Sequence, residues 1–247
     1  MTAVRVIHAD HQRSVDLPGA PAPVPRPVDI DQSATRFSAL RTLRVYRFAP
    51  PSVIEGHAEE DEVFIVVLAG SIDLVMRSPG WPDNGTPFTL TAADAGGAVS
   101  CAAYLPRFAE YQLTARGPSD VAYARATAEQ VRSPRIFAAG AARQAGAGGA
   151  CVLLDERAHA ERLRLCVFHI DARHETSMPV SIRAGTDSLE TLLHLRTRPP
   201  HGTAQLEAGG TTVSLESWDS AAIAPGTEAR LWIAAGGAAH GLIVAAK

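Results

Sequence analysis

The sequence predicts an all-β protein, two antiparallel β-barrels carried by one chain, and three observations lead there. Short runs rich in β-branched and apolar residues alternate with Gly, Pro, Asp or Ser, the pattern of a barrel or sandwich rather than of βαβ units. The runs stop in a stretch rich in Ala, Gly, Arg and Gln, from Glu129 to Ala150, and then begin again. No segment requires a helix of three turns, although Asp155 to Leu163 has the composition for a short one.

The elements follow in order. Pro18, Pro21, Pro23, Pro25 and Pro27 fix φ and remove backbone donors, so residues 1–39 read as an extended arm crossing a barrel surface. Strands are expected at Leu43 to Phe48, Glu62 to Leu68, Ser71 to Met76, Cys101 to Leu105, Tyr111 to Ala115 and Val121 to Ala124, giving a first barrel over 40–130. Gly140, Gly146, Gly148 and Gly149 mark 131–150 as a linker. A second barrel over 151–247 is expected from Cys151 to Leu154, Leu163 to Ile170, Leu189 to Arg196, Gly202 to Leu206, Thr211 to Leu215, Asp219 to Ile223, Leu231 to Ala234 and His240 to Val244. The halves match in order: Glu62 to Gly70 corresponds to Glu190 to Arg196, and Ala103 to Leu113 to Ala222 to Leu231, as expected of an internal duplication.

Composition narrows the function. A chain of 247 residues with 46% hydrophobic and 20% charged residues buries a substantial core unaided. The net charge of −3, without a run of five basic residues, argues against nucleic acid or an acidic lipid surface and leaves a small molecule as the partner. No window reaches the roughly 18 apolar residues of a membrane span. Cys101, Cys151 and Cys166 form no CxxC pair and read as buried thiols of a cytoplasmic protein. Nucleophile elbows and nucleotide-binding loops are absent.

The stretch richest in chemistry runs from Glu55-Gly-His57 through Glu62 and the β-forming Val63 to Leu68 to Gly70, with Pro106-Arg-Phe-Ala-Glu-Tyr111 downstream. It resembles the cupin superfamily, whose motifs are His-x-His, three or four residues, Glu, six residues, Gly, and then Pro-x-Gly-x-x-His. The resemblance implies cupin (jelly-roll) barrels, with a divalent metal, Mn, Fe, Ni or Zn, held inside by imidazoles and a carboxylate, ligands that suit those ions. Here Glu55 stands at the first His, His57 at the second and Glu62 at the Glu, so a site of Glu55, His57 and Glu62 is one reading. A solvated acidic loop is the other, because Glu59, Glu60 and Asp61 follow at once. Seven residues, not six, separate Glu62 from Gly70, and Tyr111 replaces the last His.

The whole-chain pattern is most similar to the two-barrel family of 5-deoxy-glucuronate isomerase and hexosulose-uronate ketol-isomerase. The stretches that carry this are Val63 to Gly70, Ala103 to Pro106 with Glu110 to Ala115, Ser133 to Ile136, Leu189-Glu190, Arg196 and Pro199-Pro200. The resemblance implies aldose to ketose isomerisation of a sugar acid, in inositol catabolism, with a metal in the second barrel and Glu190 as the base. Ser181 and Arg183 stand where that barrel's His-x-His belongs, and Glu228 is the nearest group to its last ligand. A guanidinium repels a divalent cation and suits an anion. Either this barrel has lost its metal and binds a small anion through Arg183, Arg196 and Glu190, or the register differs and one of His169, His174, His194, His201 and His240 serves. His194 is the strongest of these, sharing a strand face with Glu190 and Arg196. A non-catalytic binder is thus the alternative to an isomerase, and open sheet edges suggest a homodimer.

Overall fold

The computed structural model describes residues 3–93, 99–139, 143–144, 150–156, 158–171, 179–182, 189–198, 204–233 and 238–247. The strands of the first half are β1 (Val4–Ile7), β2 (Ser14–Val15), β3 (Val24–Pro25), β4 (Val28–Asp31), β5 (Leu40–Phe48), β6 (Val53–His57), β7 (Asp61–Ala69), β8 (Ser71–Arg77), β9 (Pro87–Thr91), β10 (Ser100–Leu105), β11 (Glu110–Ala115), β12 (Ser119–Thr127) and β13 (Arg135–Ala138). Those of the second are β14 (Arg143–Gln144), β15 (Ala150–Glu156), β16 (Arg164–Asp171), β17 (Pro179–Ile182), β18 (Glu190–Arg198), β19 (Ala204–Ala208), β20 (Thr211–Leu215), β21 (Ser220–Ile223), β22 (Ala229–Ile233) and β23 (Ala238–Ala246). One turn of helix, α1 (Gln32–Thr35), is capped by Asp31, which accepts from the amides of Ser33 and Ala34. No helix among the described residues is long and apolar enough to cross a membrane.

Two open jelly-roll units result, each a large sheet facing a small one. The large sheets run β13-β10-β7-β12-β5-β4 and β1-β21-β18-β23-β16-β15-β14, and the small ones β6-β11-β8-β9 and β17-β22-β19-β20. The orders superpose strand for strand apart from β14, which is the duplication expected from the sequence. Each unit is filled between its own sheets: Ile65, Leu74 and Leu113 belong to the first interior, and Leu193, Leu206 and Leu231 to the second. A third apolar layer joins the large sheets back to back, Phe64, Val66 and Ala124 meeting Val167, Leu192 and Leu242. Strand β7 is therefore covered on both faces, and its sequence from Val63 to Leu68 is apolar without alternation.

The segments read as arm and linker take part in the sheets. Strand β1 pairs with β21 of the second unit, Val4 opposite Ile223, while β13, inside the expected linker, pairs with β10 of the first unit, Ala103 opposite Ile136. Each large sheet is thus finished by the strand that precedes the other half. The remainder of the arm, β2 and β3, lies over the first unit, where Val15, Leu17, Ala20 and Val24 pack into its interior. No helix forms near Leu163, because the amides of Glu161, Arg162 and Leu163 all donate to Glu62 instead of to a helical ladder. Cys101 is buried and Cys166 half-buried, neither in a disulfide among the described residues; the side chain of Cys151 lies outside the described residues.

Candidate functional site

Strand alternation sorts the first unit's candidates onto different faces. On β6, Ile54 points inward, whereas Glu55 and His57 are exposed and Glu55 accepts from Nε2 of Gln112 at 3.2 Å. Glu62 is fully buried, but on the outer face of β7 with Phe64 and Val66, against the other unit. Glu55, His57 and Glu62 therefore do not converge.

One register further along, the spacing of the resembled motif fits the fold. Gly56-x-Ala58, four residues, Val63, six residues and Gly70 carry that pattern, and Ala58 and Val63 belong to the first interior. The count of seven from Glu62 to Gly70 was the signal for this shift. Gly70 sits at φ +76, and a Cβ there would lie 2.3 Å from the Pro118 carbonyl, so the strand reversal needs glycine. In the second motif Phe108 takes the glycine position with φ +66, and the turn delivers Tyr111 to the interior. A Cβ on Gly56 would lie 2.4 Å from Cζ and Oη of Tyr111; the phenol fills the space that glycine leaves. Tyr111 packs at 6.0 Å from Tyr123, which sits edge-on to Tyr46 at 5.3 Å. Burial first, and the Tyr46 phenol second, push the Tyr111 hydroxyl up to about 12. The inward ligand positions of this unit are thus Gly, Ala, Val and Tyr, which offer no basic donor.

Glu62 and Glu190 form a pair of reciprocal clamps. Glu62 accepts from the amides of Glu161 (2.8 Å), Arg162 (2.7 Å) and Leu163 (2.6 Å), which lead into β16, and from the Tyr104 hydroxyl at 3.1 Å. Glu190, on β18, accepts from the amides of Ser38 (2.5 Å), Ala39 (2.7 Å) and Leu40 (2.8 Å), which lead into β5, and from the Ser38 hydroxyl at 2.9 Å. Each carboxylate comes from one unit and orders the entry to the other. Both oxygens of Glu190 are engaged, so the residue expected as a base holds backbone in this structure.

In the second unit His194 and Arg196 share the inter-unit face. His194 is fully buried, with Nδ1 3.1 Å from Oγ of Ser220, its ring edge-on to Trp218 at 5.9 Å, and Nε2 without a hydrogen bond. Burial foremost, then Arg196 and His240, hold its pKa down at about 3, so the imidazole is neutral. Arg196 pairs with Asp120 of the first unit at 2.9 Å and donates to the Leu68 carbonyl at 3.2 Å. Its guanidinium lies 4.8 Å from the Trp218 ring and that of Arg47 lies 4.1 Å from it, so sequence reasoning missed a cation–π seam between the units. Glu228 is exposed beside Arg230 at 3.6 Å and does not join them. His169 and His240 stand 6.4 Å apart, ring to ring. Arg183, His174 and His201 lie outside the described residues; Ser181 is registered opposite Arg230 and Ile182 opposite Ala229. Ala229 occupies the place that Tyr111 holds in the first unit. Opposite it on β19 is Ala208, where Tyr111 faces Met76. Among the described residues no three His, Cys, Asp or Glu side chains are placed to hold a metal ion, and the described donor set does not fit the divalent metal implied by the resemblance.

Solved structures share this architecture. An IolB-like protein from Salmonella typhimurium LT2 is 14% identical with a TM-score of 0.69, over 94% of this chain and 93% of that one. A Cupin 2 conserved barrel domain protein from Leptotrichia buccalis is 12% identical with a TM-score of 0.54, over 98% and 96%. The chain has a cupin fold. Protein YlbA from E. coli shares it at 9% identity and a TM-score of 0.68, over 99% and 90%. At these identities the likeness carries the cupin architecture alone; no protein-family model and no curated protein matches the sequence.

Proposed function

We propose that this cupin-fold protein binds a small anionic ligand of the sugar-acid class in its second unit, without metal catalysis. The observation that carries the reading is the contrast between equivalent positions: Tyr111 against Gly56 plugs the first interior, while the second unit carries only the short side chains of Ala229 and Ala208 at the same level. Arg183, which follows β17 in sequence, is the cation the sequence offers for this ligand, since a fixed fork of donors suits a carboxylate. Calorimetric titration with glucuronate and glucose tests this. Glucuronate is expected to bind and glucose not, Ala229→Tyr to abolish binding, and Tyr111→Ala to leave it intact. Equal binding by wild type and Ala229→Tyr removes the proposal.

The fold likeness to the IolB-like protein favours a second reading, aldose to ketose isomerisation of a sugar acid in inositol catabolism. It requires a metal that the described side chains do not gather. Turnover of 5-deoxy-glucuronate after repletion with Mn, Fe, Ni or Zn would establish it; its absence would leave the binder.

A further inference from the structure

We propose that the end of the inter-unit seam farthest from the two glutamate clamps is an acid-sensitive latch: protons taken up by His169, His194 and His240 release it, and the units part there while the clamped end holds. Strands β5, β7, β16 and β18 all start at the clamps, since Glu62 and Glu190 stand at the starts of β7 and β18 and hold the amides that lead into β16 and β5. Arg196 lies six residues beyond Glu190 along β18, about 20 Å away. The large sheets meet mainly through apolar side chains, but at this end β16, β23 and β18 present a polar row. His169 is registered opposite His240, and His240 opposite Arg196, with His194 one step behind on β18. Alternation puts all four on the seam face, because Val167, Leu242 and Leu192 stand at even spacing from them in the shared apolar layer.

The first unit answers this row with Arg47 of β5, Asp120 of β12 and the Leu68 carbonyl of β7. Asp120 lies 2.9 Å from Arg196 and 3.6 Å from Arg47, and both guanidiniums pack on Trp218 from the turn ahead of β21. The arm adds His11, edge-on to Trp218 at 5.9 Å, and His8, 3.1 Å from Asp219. With the imidazoles neutral, the charges among the described residues here are Arg47 and Arg196 against Asp120 and Asp219, two of each sign. Every proton added to the histidines is therefore unmatched and arrives beside two guanidiniums. His194 is fully buried and His240 is 4% exposed, so the closed seam keeps out the water that would solvate an imidazolium, and a parted seam admits it. Burial foremost, then Arg196 and His240, hold the His194 pKa at about 3. The parted form, near the ordinary value of 6.5, takes the proton first, so acid favours parting below that value. Asp120 acts in the opposite sense: burial raises its pKa against the pull of Arg196 and Arg47, so the closed form protonates it more readily. That opposition is confined to the carboxylate range near pH ~4, which leaves a window from about pH 6.5 down to about 4 for release.

The test follows Trp218 emission, read as the difference between wild type and Trp218→Phe, together with small-angle scattering from about pH 7.5 to about 4.5. Far-UV circular dichroism reports whether the strands persist. Release is expected as a reversible red shift of Trp218 and a larger radius of gyration at a pH where the dichroism is intact. His240→Gln should lower the midpoint by roughly 0.5 pH unit, because one proton fewer drives the change, and Asp120→Asn, which removes the carboxylate between the guanidiniums, should raise it. Should His240→Gln fail to fold, the half-buried His169→Gln carries the test, with a lower midpoint again expected. A Trp218 shift that appears only together with loss of dichroism is ordinary acid unfolding, and a midpoint unchanged in both histidine variants places the titrating group elsewhere; either result overturns the proposal. All of these measurements are made without ligand, so the latch and glucuronate binding by the second unit fail separately.

Discussion

Glu62 shows how a residue can be legible while its role is not. Its place ahead of a buried strand is readable from sequence, but the face it takes depends on a register that one residue reverses. Its carboxylate holds three amides and a phenol, so Glu62→Ala is expected to cost about 2–4 kcal/mol in chemical denaturation, since the amides are left buried without acceptors. Glu190→Ala should behave alike. His194 makes a prediction in pH. Its pKa is about 3 in the fold against 6.5 for the free group, so below about pH 6.5 the unfolded chain binds the proton and the folded one does not. Stability should therefore fall as pH drops from about 6.5 towards 3, at up to ~1.4 kcal/mol per pH unit, with no contribution above that window. His194→Gln should flatten this acid limb; an unchanged limb assigns the sensitivity to other groups.

At the scale of elements, the β6–β11 pairing decides what the first interior can hold. Gly56 and Tyr111 are cross-strand partners, and the ring occupies the place of a Cβ. Gly56→Ala should therefore destabilise by about 1–3 kcal/mol through overpacking, and Gly56→Ala with Tyr111→Ala should cost less than the sum of the two. A strictly additive cycle would show that the contact is relieved elsewhere. Sequence pattern located β7, β8, β10 and β11 to within a residue or two, because their apolar runs are bounded by turn residues. It missed β1 and β13, which are short strands whose pairing partners lie in the other half, a relation no local pattern contains. The test of β1 is truncation of residues 1–8, which should raise amide exchange in β21, held otherwise by β18 on its other side, while β10 keeps its protection.

For the whole molecule, the back-to-back layer of large sheets, the two glutamate clamps and the Trp218 seam all join the units, so unfolding should be one cooperative transition. Combining Glu62→Ala with Glu190→Ala should split it into two by calorimetry; a single transition at lower temperature would show that the apolar layer alone couples the halves. The duplication was legible because strand order survives when residues do not. The chemistry was less so, since the motif positions now carry Gly, Ala, Val and Tyr, which speak of packing and not of ligation. The crossed placement of β1 and β13 has a consequence for any fragment of this polypeptide. Severed just ahead of β13, either piece would carry a strand belonging to its absent companion and lack the one that closes its own sheet, so a solitary half would offer its bare edge to a second copy of itself.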